Sequence, residues 1–231
     1  MVAGPAAADA VRRARGMPGL GVGLHLVVIE GDAVLPGAAF GSDQLRLGIK
    51  YSFSPAGRRR LWAEIGAQYR AFAATGLRLD HANAHKHMHV HPTVGRMLIE
   101  IGREFGLQAL RVPAEPPSLL LACGVTPSLG DRALFAWTRV LRAQGRRAGL
   151  LMNDWGLGLA WSGGMTRERL LRAAPALPAG LGEIYFHPAT GRNAMLTQLM
   201  PTYDHRGELA TLLDPAVELA LGPLQGWSSR R

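Results

Sequence analysis

Short strand-like runs alternate with longer helical runs along this sequence, and that alternation restricts the fold more than any other feature. The glycine-bounded apolar run 20–29 predicts a buried strand, and the alternating run 77–81 predicts a second one. Between them, 55–74 has apolar residues on one helical face and Gly76 as a stop signal. Because strands separated by helices pair in parallel through right-handed crossovers, we predict an α/β sheet or barrel.

The remaining pattern continues this alternation to the late strand. Pro92 suits the first turn of a helix that runs to Gly106. A chain of 231 residues can bury one sizeable core, so we predict a single domain over 1–231. Other helices are predicted over 6–15, 132–143 and 166–174, and other strands over 107–112, 149–153 and 182–187.

The chain is strongly basic, with a formal net charge of +9. Only Lys50 and Lys86 are lysines among the 26 basic residues, so the excess indicates a general bias towards arginine. The arginine clusters are scattered and lack the interleaved aromatic residues that stack on bases. We therefore predict no nucleic-acid partner and leave open a peripheral contact with anionic lipid head groups.

The sequence carries no signal for membrane insertion or for a disulfide framework. No apolar run approaches the roughly 18 residues that span a bilayer, and the first residues lack a signal-peptide pattern. The single cysteine, Cys123, lies in an apolar run and is expected to be a core residue. These features predict a soluble, cytoplasmic protein.

Five of the eight histidines lie between positions 81 and 91. If this run is extended, alternate imidazoles share one side, because side chains on a strand alternate. His85 stands nearest the end of the preceding strand and is the better candidate for a metal ligand. Asn83, His87 and His89 are predicted to support it by orienting the ligand or lining the site, although turn and packing roles remain open.

Two other histidines stand in or at the end of predicted strands, where α/β folds gather their chemistry. His25 lies inside the first strand, and His187 ends the last one. An imidazole at such a position can act as a general acid or base, and a structural role is nearly as well supported. Asp154 and Trp155 follow another strand and could contact a sugar, or could cap a turn and pack in the core.

Three motifs, in this order and spacing, resemble the YdjC-like (ChbG-type) carbohydrate deacetylases: Gly23-Leu-His-Leu26, Asn83-Ala-His-Lys-His-Met-His-Val-His-Pro92 and Glu183-Ile-Tyr-Phe-His-Pro188. The sequence of four further segments is most similar to the hopanoid-biosynthesis-associated branch, HpnK. These segments are Arg111-Val-Pro113, Asn153-Asp154, Gly158-Leu-Ala-Trp-Ser162 and His187-Pro-Ala-Thr-Gly191.

The resemblance implies a distorted (β/α) barrel similar to a TIM barrel and a hydrolase that acts on a linear amide C–N bond. It implies a divalent metal, magnesium or zinc, held by an aspartate and by His25 and His85, with His187 assisting the leaving amine. Arg111, Asp154 and Trp155 are then the predicted substrate contacts. The implied substrate is an acetylated amino sugar, in the hopanoid branch an N-acetylglucosaminyl hopanoid head group, and a homodimer is also suggested.

The sequence departs from the family pattern in its carboxylates. Family members carry an Ala-Asp-Asp-Phe-Gly motif after a first strand, and no Asp-Asp pair occurs in this sequence. We therefore expect the first β-α unit to be missing and the chain as given to be poorly active. A late start codon on a normal enzyme and a shortened, inactive relative that only binds metal or sugar are the two alternatives, and we favour the first.

Overall fold

The computed structural model describes residues 1–37 and 40–227. The chain divides into two compact units. The first comprises Met1–Val112, Trp137–Met152 and residues 225–227, and the second comprises Pro113–Ala136 and Asn153–Leu224.

A four-stranded parallel sheet forms the centre of the first unit. Its strands follow one another in chain order: β1 (Leu24–Leu26), β2 (Ala82–Ala84), β3 (Ala109–Leu110) and β4 (Leu151–Met152). The helices of this unit are α1 (Ala7–Arg15), α2 (Gln44–Phe53), α3 (Pro55–Ala73), α4 (Pro92–Glu104) and the part of α6 (Leu129–Arg147) from Trp137 onward. A 3-10 segment, His85–Val90, joins β2 to α4.

A smaller parallel sheet of two strands, β5 (Trp155–Leu157) and β6 (Gly182–Ile184), belongs to the second unit. Around it are a 3-10 turn, Ala174–Ala176, and the helices α5 (Pro117–Ala122), α7 (Arg167–Ala173), α8 (Ala194–Leu199), α9 (His205–Leu212) and α10 (Pro215–Leu221). Its hydrophobic core includes Cys123, which is buried as predicted. The parallel α/β class is thus confirmed, and the closed barrel stays an expectation.

The helices predicted over 55–74 and 92–106 are confirmed as α3 and α4. Ser54 caps α3 by accepting a hydrogen bond from Gly57 N, and Pro55 occupies its first turn. The predicted face, Leu61, Ile65, Tyr69 and Phe72, is buried.

Tyr69 also joins α3 to α4, because its hydroxyl donates to the Leu98 carbonyl at 2.9 Å. Gly102 makes room for this ring, since a Cβ built there would lie 2.5 Å from the Tyr69 hydroxyl oxygen.

The strand predicted over 77–81 is wrong in its bounds, because β2 begins at Ala82. Asp80 N donates to the Val22 carbonyl and Leu24 N donates to the His81 carbonyl, so this stretch runs beside β1 without regular pairing. The other predicted strands are shorter than expected, and α6 extends beyond the predicted 132–143 at both ends. Alternation of residue types marks where a strand lies, but backbone pairing with a neighbour decides its length.

A side chain of α3, Gln68, forms hydrogen bonds with the backbone at the end of β1. Gln68 is buried, and its amide accepts from Val27 N at 3.0 Å and donates to the Val27 carbonyl at 2.7 Å. The same amide donates to Glu64, whose carboxylate accepts from Val34 N and Leu35 N. A side-chain amide thus satisfies both backbone polar groups of Val27, the residue that follows β1.

Replacing Gln68 with leucine is expected to lower the free energy of unfolding by about 2–3 kcal/mol, because it leaves the buried N–H and carbonyl of Val27 without partners. Urea denaturation followed by circular dichroism measures this loss. The exposed Gln198→Leu variant serves as the control and should change stability by less than about 0.5 kcal/mol. Equal effects of the two substitutions would contradict the role given to the Gln68 amide.

Candidate functional site

The pairing of β1 with β2 brings two of the predicted site histidines together. His25 on β1 lies opposite Asn83 on β2, and Leu26 lies opposite Ala84, so His85 follows immediately beyond the paired end. The ring centres of His25 and His85 are 5.8 Å apart, with an interplanar angle of 70°. The predicted proximity of these two histidines at the carboxyl ends of neighbouring strands is therefore found in the structure.

A short chain of hydrogen bonds holds the His25 imidazole. In the amide orientation that satisfies both neighbours, Asn83 Nδ2 donates to His25 Nδ1 at 2.5 Å, and Asn83 Oδ1 accepts from Arg111 Nη1 at 3.0 Å. Burial lowers the pKa of His25 to about 3. The ring is therefore neutral at physiological pH, which is the form that binds metals.

The same chain of hydrogen bonds selects a tautomer for His25. With Asn83 donating to Nδ1, the neutral ring carries its proton on Nε2. Ligation of a metal through Nε2 requires the other tautomer, in which Nδ1–H donates to Asn83 Oδ1 after the amide turns over. In that state Asn83 Oδ1 no longer accepts from Arg111, because the amide nitrogen then faces the guanidinium group.

The histidine run is not extended, which corrects the expectation of alternate imidazoles on one side. His85–Val90 forms a 3-10 segment, and Lys86 and His87 inside it have φ values of +48° and +54°. Lys86 Nζ also forms an ion pair of 2.6 Å with Glu30, another residue of positive φ. Strained backbone of this kind concentrates at binding sites, where surrounding contacts hold it in place.

His89 belongs to this segment, and its side chain is fully buried. Its Nε2 donates to the Arg111 carbonyl at 3.0 Å, and burial lowers the pKa of His89 well below its usual range. The ring of His87 lies 6.2 Å away. His89 therefore links the segment to the strand that precedes Arg111, a supporting position like the one predicted for it.

His91 serves a different purpose from the other histidines of the run. It stands before α4 without a side-chain capping bond, and its Nε2 lies 3.0 Å from Ser52 Oγ and 3.1 Å from the Gly48 carbonyl. The end of the histidine segment is thereby tied to α2. Trp137 adds a second tie, since its indole Nε1 donates to the Val90 carbonyl at 3.1 Å.

Whether His25 and His85 fit a metal site depends on the distance between their rings and on the other ligand side chains nearby. Two imidazoles that share one zinc ion place their ring centres about 5 Å apart, given metal–nitrogen bonds of about 2.0–2.1 Å, and the observed 5.8 Å is close to this. Residues 1–37 and 40–227 contain no group of three histidine, cysteine or acidic side chains arranged to hold a metal. Asp80, the nearest acidic residue in sequence, instead contacts His81 Nδ1 at 3.0 Å. The chain thus offers two ligands of such a site and no third among these residues.

The second unit fixes the backbone of His187 on both sides. Its N–H donates to the carboxylate of Glu208 at 2.5 Å, and its carbonyl accepts from His205 Nδ1 at 2.5 Å. The His187 ring lies edge-on to Tyr203 and Tyr185, at 5.1 and 5.8 Å. An imidazole on a backbone held in this way is well suited to move a proton at a defined position.

Asp154 contacts a distant part of the chain, and Trp155 packs in the core. Asp154 Oδ2 accepts from Leu181 N at 2.8 Å, so in this contact it binds the backbone next to β6 and does not cap its own turn. Trp155 is buried in the core of the second unit. Their predicted contacts with substrate stay predictions.

Three acidic and aromatic residues around this region were not predicted from the sequence. Glu208 is buried and also accepts from Met165 N, and Tyr203 contacts Ser162 Oγ through its hydroxyl at 2.8 Å. Glu115 accepts hydrogen bonds from the backbone of 158–160, and burial raises its pKa. The partners of Glu115 lie 43 to 45 positions away along the chain, and those of Glu208 lie 21 and 43 positions away, so no local pattern marks either residue.

The parallel strands and the helices between them place this chain among the α/β proteins, a class in which ligands commonly bind at the carboxyl ends of the strands. The chain belongs to the YdjC-like protein family, whose model matches residues 1–222. This membership confirms the family resemblance.

Among curated relatives, a carbohydrate deacetylase of Brevibacillus brevis strain 47 is 34% identical over 113 residues, which are 48% of this chain and 43% of that protein. A carbohydrate deacetylase of Vibrio vulnificus strain YJ016 is 35% identical over 114 residues, 46% of this chain and 43% of that protein. The matched part therefore spans less than half the length of these relatives.

A solved structure from Enterococcus faecalis V583, named as a cellobiose-phosphate cleavage protein, has a TM-score of 0.68 to this chain. The two share 18% identity, and the match covers 100% of this chain and 85% of that one. This similarity supports the fold. Within the residues described here, no helix is both long enough and apolar enough to cross a membrane.

Proposed function

We propose that this chain contributes the catalytic domain of a carbohydrate deacetylase, which hydrolyses the acetamide of an N-acetylated amino sugar. Family membership and the two relatives named carbohydrate deacetylase favour this activity. The observation that carries the proposal is the pair of imidazoles, His25 and His85, at the carboxyl ends of β1 and β2. In the reaction, the amide C–N bond breaks, water oxygen joins the acetyl carbon to give acetate, and the amine nitrogen takes a proton.

Each candidate residue has one task in this proposal. A divalent ion, magnesium or zinc, when bound by His25 and His85, would supply electrophilic assistance to the acetyl group. Asn83 would orient the His25 ring through Nδ1, Arg111 would hold the Asn83 amide, and His187 would give its proton to the departing amine nitrogen. We also propose the N-acetylglucosaminyl hopanoid head group as the substrate, because the sequence resembles the HpnK branch. A homodimer is the proposed assembly.

The sequence contains no Asp-Asp pair, and the described residues offer no third metal ligand. We therefore propose that the chain as given is poorly active. Acetate release from N-acetylglucosamine conjugates is expected to be about a hundredfold or more slower for this chain than for a protein that adds in-frame upstream sequence carrying an Asp-Asp motif. An enzyme-coupled acetate assay compares the two.

The control is the longer protein with His187→Ala, which should lose activity while still binding zinc. A longer protein that binds metal and releases no acetate from any acetylated amino sugar would contradict the deacetylase proposal. That result would favour a second candidate, a non-catalytic metal- or sugar-binding member of the family. We retain this second candidate because residues 1–37 and 40–227 contain no group of three side chains arranged to hold a metal.

A further inference from the structure

The outer side of α2 carries an exposed apolar stripe. Leu45, Ile49 and Phe53 follow one another at intervals of four and are 76%, 54% and 79% exposed. Leu47 and Tyr51 lie on the opposite side of the helix and are buried. The helix is therefore anchored by one apolar face and presents a second one to the outside, which is unusual for a helix on a protein surface.

Basic side chains and a tryptophan are exposed at the start of α3, the helix that directly follows α2. Arg58 and Arg59 are exposed in the first turns of α3, and Trp62, one turn later, is 42% exposed. Together with Arg96 and Met97 of α4 they line a shallow cavity of about 290 Å³. We call the surface formed by Leu45, Ile49, Phe53, Arg58, Arg59 and Trp62 the basic-apolar face.

The two helices of this face meet closely at their junction. Ser54 ends α2 and caps α3, and a Cβ built on Gly57 would lie 3.0 Å from Lys50 Cγ. Lys50 and Arg46 are exposed beside the stripe and add two positive charges to it.

Acidic groups near the basic-apolar face are few among the described residues. Asp43 accepts from Arg46 N as the cap of α2. Glu64 is buried with its oxygens turned to Val34 and Leu35, and Glu100 pairs with Arg96. The face is therefore positively charged, in a chain whose formal net charge is +9.

We propose that the basic-apolar face docks on the surface of a lipid bilayer that contains anionic phospholipids. The aliphatic and phenyl side chains of α2 would enter the boundary between head groups and acyl chains, and Trp62 would lie at the level of the head groups. Arg58 and Arg59 would meet lipid phosphates, to which guanidinium groups bind in a bidentate manner. Two copies of this face would bring like charges together, so charge complementarity favours an anionic membrane over a second copy of the chain.

Docking in this manner would hold the candidate site close to the lipid surface. The inner side of α2 contacts His91 through Ser52 and Gly48, and His91 ends the histidine segment that begins at His85. The proposal stands independently of the deacetylase activity, because it depends on the exposed residues of α2 and α3 alone.

Vesicle sedimentation tests the proposal with the full chain. Binding is expected to vesicles of phosphatidylcholine and phosphatidylglycerol in equal parts, with little binding to phosphatidylcholine alone and weaker binding at high salt. The Arg58→Gln/Arg59→Gln variant should lower the partition coefficient roughly 20-fold, since each basic residue contributes about a factor of five. The Leu45→Gln/Ile49→Gln/Phe53→Gln variant should lower it about tenfold or more.

Matched controls separate this face from general charge and apolarity. Arg146→Gln/Arg147→Gln removes two other exposed arginines, and Leu213→Gln/Leu219→Gln/Leu224→Gln removes three leucines that are 73%, 85% and 78% exposed. Both control variants should bind vesicles as the parent chain does, and circular dichroism verifies folding. Equal losses in test and control variants, or equal binding to both vesicle types, would overturn the proposal. So would a dimer in light scattering that the α2 variant converts to monomer without any change in vesicle binding.

Discussion

Alanine in place of Glu208 is expected to lower the free energy of unfolding by about 4 kcal/mol. The carboxylate is buried and accepts hydrogen bonds from two backbone groups, His187 N and Met165 N. Its removal leaves the buried N–H of Met165 and the partly buried N–H of His187 without an acceptor, at about 1–3 kcal/mol each, and also removes charge-assisted hydrogen bonds. Urea denaturation followed by tryptophan fluorescence measures the loss, since Trp155 and Trp161 lie in the core of this unit.

The conservative Glu208→Gln variant sharpens this prediction. Its single carbonyl oxygen can replace one of the two acceptors, so about half of the loss should be recovered. Glu218, which is exposed on the neighbouring helix α10, supplies the control: Glu218→Ala should change stability by less than about 0.5 kcal/mol. If Glu208→Ala proved as harmless as this control, the carboxylate would not be what holds His187.

Substituting His85 or His25 with alanine is expected to lower zinc affinity about a hundredfold or more. The two imidazoles are 5.8 Å apart, and no third candidate ligand joins them among residues 1–37 and 40–227, so loss of either leaves a single ligand. Competition with a chromophoric chelator measures the affinity without any need for activity. The neutral state of His25, whose pKa burial lowers to about 3, means that no proton has to leave an imidazolium at neutral pH.

His91 provides the matched control for this measurement. It belongs to the same histidine run, but its Nε2 contacts Ser52 Oγ and the Gly48 carbonyl. His91→Ala should therefore leave zinc affinity within a few fold of the parent value. A loss in His91→Ala equal to that in His85→Ala would show that the run binds metal as a group, and would contradict the assignment of His25 and His85 as a pair.

The sequence predicted those elements whose pattern is both local and one-sided. Both α3 and α4 have their apolar residues on one face, and a proline in the first turn marks their starts. The helix α2 was missed because Leu45, Ile49 and Phe53 point outward, opposite Leu47 and Tyr51, so its periodicity is obscured. The strand expected over 77–81 was misplaced because alternation alone does not reveal which backbone groups pair.

The sequence indicated the candidate histidines, but it did not indicate the contacts that surround them. His25 and His85 were expected together because of the family resemblance, and the parallel pairing of β1 with β2 brings them to one edge of the sheet. The tautomer imposed by Asn83 and Arg111, and the positive φ values of Lys86 and His87, required the folded chain. These features depend on groups that approach one another only after the strands have paired.

By itself, the sequence determined the parallel α/β class and the family, because periodicity and motif order are properties of the chain alone, and it named His25, His85 and His187 as candidates. Only the tertiary structure decided that Glu208 holds His187, that Gln68 binds the backbone of Val27 at the end of β1, and that α2 presents an apolar stripe between basic residues. The physical reason is common to all three. A buried hydrogen bond or an exposed face is defined by what lies opposite it, and its partners are brought there by the packing of segments that are distant in sequence.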